Sequence, residues 1–195
     1  MHPNKPFQIS LPALAAFLFM MLTDRSGLCL VTLLAAFLHE CGHLLAAKRL
    51  GIPLGAFRLD FLGARLDVRG RMLSYREEWL LAAAGPAASF GVAAMAALLW
   101  TWLPLAQTFS AASLLLGVLN LLPIATFDGG RMLDSALSSF FSERVAQNGM
   151  RLCSFFFLFL LWATAVYFLL RVGDGLSLLA FSMSLFFRFF EGDRL

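Results

Sequence analysis

Charge is scarce in this sequence: Asp, Glu, Lys and Arg make up 14% of its 195 residues, against 60% hydrophobic residues and a mean hydropathy of +0.79. Soluble domains carry about 25% charged residues, so the shortfall excludes that class and points to a polytopic membrane protein. Cysteine is sparse too. Cys29, Cys41 and Cys153 are scattered through apolar segments with no CxxC pair, which excludes a disulfide framework and a cysteine zinc site and leaves buried, inert thiols. Repeats and low-complexity linkers are also missing, so residues 1–195 are expected to form a single membrane-embedded domain. The net charge of +3 and pI near 9.1 would elsewhere suggest nucleic acid as a partner. Here the basic residues sit between apolar runs, where they orient a chain in the bilayer, and nucleic-acid binding is discarded.

What is abundant is apolar sequence, in six runs at 8–22, 28–50, 79–102, 110–124, 150–170 and 176–190. The run from Leu28 to Leu50 is long enough, at about 1.5 Å per residue, to cross a hydrocarbon core of about 30 Å. A cleaved signal peptide competes for the first run. However, Lys5 is the sole basic residue ahead of it and Thr23-Asp24-Arg25-Ser26-Gly27 is no small-x-small cleavage site, so a membrane helix is expected. The third run holds Ala82-Ala83-Ala84-Gly85-Pro86-Ala87-Ala88-Ser89, whose small residues let helices approach closely, so this span is expected inside the bundle. Residues 132–149 are mixed and amphipathic, predicting an interfacial helix. The Phe clusters at 155–157 and at Phe186, Phe187, Phe189 and Phe190 read as lipid-facing.

Between the second and third runs the pattern changes. Phe57, Leu59 and Phe61 alternate with Arg58 and Asp60, and Arg65-Leu66-Asp67-Val68-Arg69 alternates again beyond Leu62-Gly63-Ala64. Period two on both sides of a glycine predicts a β-hairpin with one apolar face. An open hairpin cannot face lipid, so it belongs at the interface or against the helices. A solvated basic loop is the competing reading. The expected fold is therefore an all-α polytopic membrane protein of about six transmembrane helices, with a short membrane-associated β-hairpin between the second and third. With the N-terminus inside, 13 of the 15 Lys and Arg, all but Arg25 and Arg171, fall on the cytoplasmic side. Both termini are then expected in the cytoplasm and the chain in the cell membrane as a multi-pass protein.

The chemistry concentrates in His39-Glu40-Cys41-Gly42-His43 on the second run. On a helix, histidines four apart share a face, which suits two imidazoles on one tetrahedral Zn²⁺, with Glu40 as general base toward a water the metal activates. His43 would lie about seven residues, or roughly 10 Å, from the cytoplasmic end of its span. A catalytic zinc takes a third protein ligand. His2 is terminal, Asp24 and Asp174 fall on the opposite side, and Asp134 and Glu143 sit on the amphipathic stretch. Asp128 is the best third ligand, because Gly129 and Gly130 free the backbone to turn its carboxylate inward.

His39-Glu40-Cys41-Gly42-His43 on a second span, Gly85-Pro86 on a third, and Asn120-Leu121-Leu122-Pro123 followed by Asp128-Gly129-Gly130 resemble the site-2 protease family of intramembrane zinc metalloproteases. The resemblance covers residues 28–135, with the runs at 8–22, 150–170 and 176–190 as additions to that core. The short six-span layout is most similar to the family's sporulation branch. The resemblance implies zinc ligands at His39, His43 and Asp128, the catalytic glutamate at Glu40, and an asparagine at Asn120 that holds or polarises the substrate carbonyl. It also implies a membrane-spanning or membrane-tethered protein substrate, such as a pro-sigma factor, cut near the cytoplasmic face. Two positions depart from the family pattern: Ala125 stands where a second proline follows Pro123, and Ser89 stands where Gly-Pro is followed by asparagine. These bear on local rigidity and on one polar contact. No nucleotide-sensing CBS domain occurs before Leu195, so regulation through one is not expected.

Blander readings compete. Paired histidines could only bond neighbouring helices, though ionisable residues inside spans are functional by default. Asp128 could cap a helix, and Asn120 could join helices. A non-catalytic zinc-binding homologue or a transporter is the rival function. A transporter would carry several ionisable residues along a pathway through multiple spans, of which the third, fifth and sixth runs are almost bare, and an inactive homologue would have lost Glu40. Glu77-Glu78 invites comparison with paired-glutamate membrane proteases, but Trp79 to Ala84 contains no arginine to complete that motif.

Overall fold

The computed structural model of the protein describes residues 7–9, 24, 27–60, 63–68, 72–99, 101–173 and 175–192. Their order is β1 (Phe7–Ile9), α1 (Leu28–Arg49), β2 (Leu54–Asp60), β3 (Gly63–Val68), α2 (Tyr75–Leu98), α3 (Pro104–Asn120), α4 (Asp128–Phe140), α5 (Glu143–Val172) and α6 (Leu176–Gly192). The span expected over 8–22 lies outside the described residues, apart from Gln8 and Ile9 in β1. Among the described residues α1, α2 and α5 are long and apolar enough to cross a membrane, while α3 and α6 are apolar but shorter. The chain divides into two compact units, Met1–Val118 and Leu119–Leu195.

In the first unit, α1 stops where Gly51 takes a left-handed φ of 64°, a conformation that costs glycine nothing. The N–H groups of Gly51 and Ile52 then close back on the carbonyls of Lys48 and Ala47, the Schellman arrangement, with Ile52 packed on Ala47 and on Leu81 of α2. The chain continues into β2, which runs parallel to β1, with Phe57 opposite Phe7, and antiparallel to β3, with Leu59 opposite Ala64 and Arg58 opposite Arg65. Helix α2 starts earlier than hydropathy suggests, because Ser74 and Glu77 form a reciprocal capping box that satisfies two orphan N–H groups. Glu77 is therefore a helix cap.

Helices α1 and α2 approach backbone to side chain. A Cβ at Gly42 would lie 2.5 Å from the Ala84 carbonyl oxygen and 2.6 Å from the Ala88 Cβ. Helix α3 joins the same face of α2: the Ser110 hydroxyl donates to the Ala93 carbonyl at 2.8 Å, and Gly117 sits against Ser89 and Phe90.

In the second unit, Ile124, Leu158 and Leu185 form the core, with Phe127, Phe157, Phe181, Phe186 and Phe189 packed on it. The expectation that the Phe clusters face lipid therefore holds for only part of them: Phe156, Phe187 and Phe190 are exposed while Phe157, Phe186 and Phe189 turn inward. A period of 3.6 puts consecutive residues on different faces. The single helix predicted over 132–149 is instead two. Phe141 and Ser142 are extended, with ψ of 165° and 150°, and Ser142 followed by Glu143 is a favourable start for α5.

Burial is inverted relative to a soluble protein. Alanines dominate the buried apolar residues and serines the buried polar ones, while Leu30, Phe37, Leu98, Leu152 and Leu170 are exposed. Small residues inside and large apolar residues outside are what lipid solvent favours.

Replacing Gly42 with valine should drive α1 and α2 apart, because the obstructing atoms at Ala84 are backbone and cannot swing away. The expected cost is about 1–3 kcal/mol, read as a lower thermal-unfolding midpoint in detergent with a chelator present. An unchanged midpoint would contradict the close packing described.

Candidate metal centre

Two imidazoles four residues apart on a helix can meet only if something turns both rings toward one point. On α1, His39 and His43 are both buried, and their Nε2 atoms face each other at 3.3 Å, the rings at 76°. The outer nitrogens are held by α2. His43 Nδ1 donates to the Leu81 carbonyl at 2.8 Å, and since a carbonyl only accepts, the lone pair of a neutral His43 lies on Nε2. His39 Nδ1 lies 2.9 Å from the Ser89 hydroxyl. Leu81, Gly85 and Ser89 follow at i, i+4 and i+8 and so form one stripe of α2 opposite the antiparallel α1.

Gly85 sits between the two holders. A Cβ there would collide with His43 Nε2 and lie 2.6 Å from His39 Nε2, so the missing side chain leaves open the space in front of both nitrogens. Pro86 follows it inside the helix. Proline removes the N–H that would bond Ala82 and crowds that carbonyl, loosening the ladder in the turn where the Leu81 carbonyl reaches His43.

The donor set fits zinc. Two nitrogens each about 2.0–2.1 Å from a tetrahedral ion are separated by about 3.3–3.4 Å, and the observed separation is 3.3 Å. Within the first unit His39 and His43 thus offer two ligand atoms at the separation a single ion requires.

Within the second unit, Asp128 is the first residue of α4 and is buried, with Phe127 as the N-cap residue. Asp128 is thus not the cap itself, and its carboxylate lies at the helix end that favours negative charge. Arg131, one turn on, places Nη1 3.8 Å from its Oδ1. Gly129 and Gly130 are helical, neither having a positive φ, so the backbone freedom expected of them is not used. Their role is spatial: a Cβ at either would strike the backbone of Leu121 or Ile124, so residues 121–124 can fold onto the first turn of α4. Asn120 is the last residue of α3 and half-buried, as is Glu40 on α1.

Two residues have partners that the sequence reading did not assign. Ser89, a departure from the expected asparagine, supplies the polar contact to His39. Ser154 on α5 accepts a hydrogen bond from the Ala125 N–H at 3.0 Å, a group a proline at 125 would lack. The departure at 125 thus frees a donor and α5 supplies its acceptor. Serine in an apolar helix is the signal that could have marked both, since a buried hydroxyl must find a partner.

A family model described as Peptidase family M50 matches residues 95–164. Rip3 of Mycobacterium tuberculosis, named as a candidate zinc metalloprotease, is 32% identical over 118 residues in each of two strains. The match takes in 55% of this chain and 30% of Rip3, so the chain spans about a third of the length of the curated relatives it matches. The site-2 protease from Methanocaldococcus jannaschii has the same fold, with a TM-score of 0.68 and 20% identity over 100% of this chain and 94% of that one. The likeness to a site-2 protease is therefore one of fold, while the family model and the curated relatives each match part of the chain.

The open space at Gly85 makes a sharp prediction. Alanine there improves helix propensity by about 1 kcal/mol yet fills the space between the imidazoles. Gly85→Ala should retain its helical circular dichroism and bind little zinc in equilibrium dialysis; wild-type zinc content in the variant would show that the metal sits elsewhere.

Proposed function

For a chain with the fold of the site-2 proteases, we propose an intramembrane zinc metalloprotease that hydrolyses a peptide bond of a membrane-spanning or membrane-tethered protein near the cytoplasmic face. The observation that carries this reading is the facing pair of buried imidazole nitrogens at 3.3 Å with a glycine in front of them. That arrangement suits a tetrahedral metal. His39, His43 and Asp128 are the residues that would hold zinc. When bound, the ion supplies Lewis acidity, polarising a carbonyl and lowering the pKa of water toward about 7.

The remaining steps belong to the chain. Glu40 follows His39 directly and accepts a proton from the attacking water, then returns it to the amine released when the peptide bond breaks. The Asn120 amide donates to the substrate carbonyl and fixes its direction as charge develops on the oxygen. A helical peptide bond is shielded by its own hydrogen bonds, so the substrate must unwind before it is cut. Among the described residues β3 pairs only with β2, and its other edge can take the unwound segment as an added strand. The concentration of Lys and Arg in segments on one side of the spans supports cytoplasmic termini and six spans in the cell membrane. The resemblance to the sporulation branch favours a membrane-tethered pro-sigma factor as substrate.

Two measurements test this reading. Co-expression with candidate single-span substrates should yield cleavage by the wild type and at least 100-fold less by Glu40→Gln, while the variant still binds zinc; equal cleavage by both would sink the mechanism. For the strand, proline at Arg65 and at Leu66 should be compared, since neighbouring residues point their N–H groups to opposite edges. The variant that removes the outward N–H should lose cleavage while keeping zinc. If neither proline affects cleavage, substrate does not bind as a strand.

A further inference from the structure

The two histidines are held differently, and the difference falls on Ser89. His43 is anchored by a backbone carbonyl, which fixes its proton on Nδ1 whatever the site contains. His39 is anchored by a hydroxyl, which can donate or accept as it rotates. Two bare Nε2 lone pairs at 3.3 Å repel each other, whereas a neutral His39 that carries its proton on Nε2 donates a hydrogen bond to His43 Nε2. In that state the Ser89 hydroxyl donates to His39 Nδ1. A metal between the rings needs the opposite tautomer, with the proton on Nδ1 and Nε2 bare, and the hydroxyl then accepts. A carbonyl at this position could serve only the second state.

We propose that Ser89 is a positioning residue that lets His39 change tautomer as metal enters and holds the ring aimed at the ion in either state. The assignment rests on the metal reading of the His39 and His43 pair. Its geometric support is independent of the motif. Ser89 is 1% exposed, so its hydroxyl is shut off from bulk solvent. Its place on the stripe after Leu81 and Gly85 puts it against the outer nitrogen of His39, and Gly117 of α3 closes behind it, a Cβ there falling 3.1 Å from that of Ser89. Burial without solvent access makes an orphaned Nδ1 costly in either tautomer.

The test is zinc affinity of the full chain in detergent, measured by chelator competition, with Co²⁺ absorption as a second readout of ligand geometry. Ser89→Ala and Ser89→Val should each weaken zinc binding about 10–100-fold, the range seen when a metal-ligating histidine loses its outer partner. Ser89→Thr carries the same added methyl as the valine variant but keeps the hydroxyl, and it should stay within a few-fold of wild type. The thermal midpoint of the chelated proteins should be the same for Thr and Val, which separates ligand positioning from packing. Thr and Val with equally weakened zinc binding would overturn the proposal, as would wild-type affinity in Ser89→Ala. His39→Ala serves as the control: if it binds zinc as wild type does, the metal reading itself fails. If it loses zinc while Ser89→Ala keeps it, only the role of Ser89 is lost.

Discussion

Two imidazoles turned toward each other inside an apolar helix pair impose a demand that the rest of the first unit meets. Each ring has an inner nitrogen at the shared point and an outer nitrogen that must be bonded, because an unpaired polar atom in hydrocarbon costs several kcal/mol. Helix α2 meets both demands with one stripe: a carbonyl at Leu81, no side chain at Gly85 and a hydroxyl at Ser89. That solution requires the two helices to lie close, which Gly42 against Ala84 and Ala88 permits. The alanine-rich composition of α2 thus follows from the chemistry of the histidines on α1.

The second unit meets a comparable demand with different parts. Asp128 begins a helix whose first turn is overlaid by residues 121–124, and the overlay is possible only because positions 129 and 130 have no Cβ. The loop is pinned through the Ala125 N–H to Ser154. At both departures from the family pattern the structure answers with a serine. Ser89 itself makes a polar contact to His39, and Ser154 takes the donor that a proline would not have had. A buried hydroxyl is a small change that satisfies a polar atom without adding volume, which suits helices packed as tightly as these.

Several features were legible in the chain alone because they are local. The membrane class follows from composition, and the His39 and His43 spacing follows from helical periodicity. The extended segments around Gly63 announced themselves by alternation. The capping box at Ser74 and Glu77 and the break at Ser142 were equally local but were hidden by hydropathy, which averages over the single polar residues that end helices. The glycines after Asp128 were read for the wrong property. Nothing in the sequence distinguishes a glycine needed for its φ from one needed for its size.

The sequence by itself determined the residue types a metal site requires and the helix that carries two of them. Only the tertiary structure decided what holds them. Ser89 is 50 residues from His39, Leu81 is 38 from His43, and Ser154 is 29 from Ala125. No periodicity links positions so far apart, and their pairing depends on which faces of antiparallel helices meet, a choice made by the fit of small residues across the interface. The pentad at 39–43 states what can bind, and the packing of α1 on α2 decides where both nitrogens point.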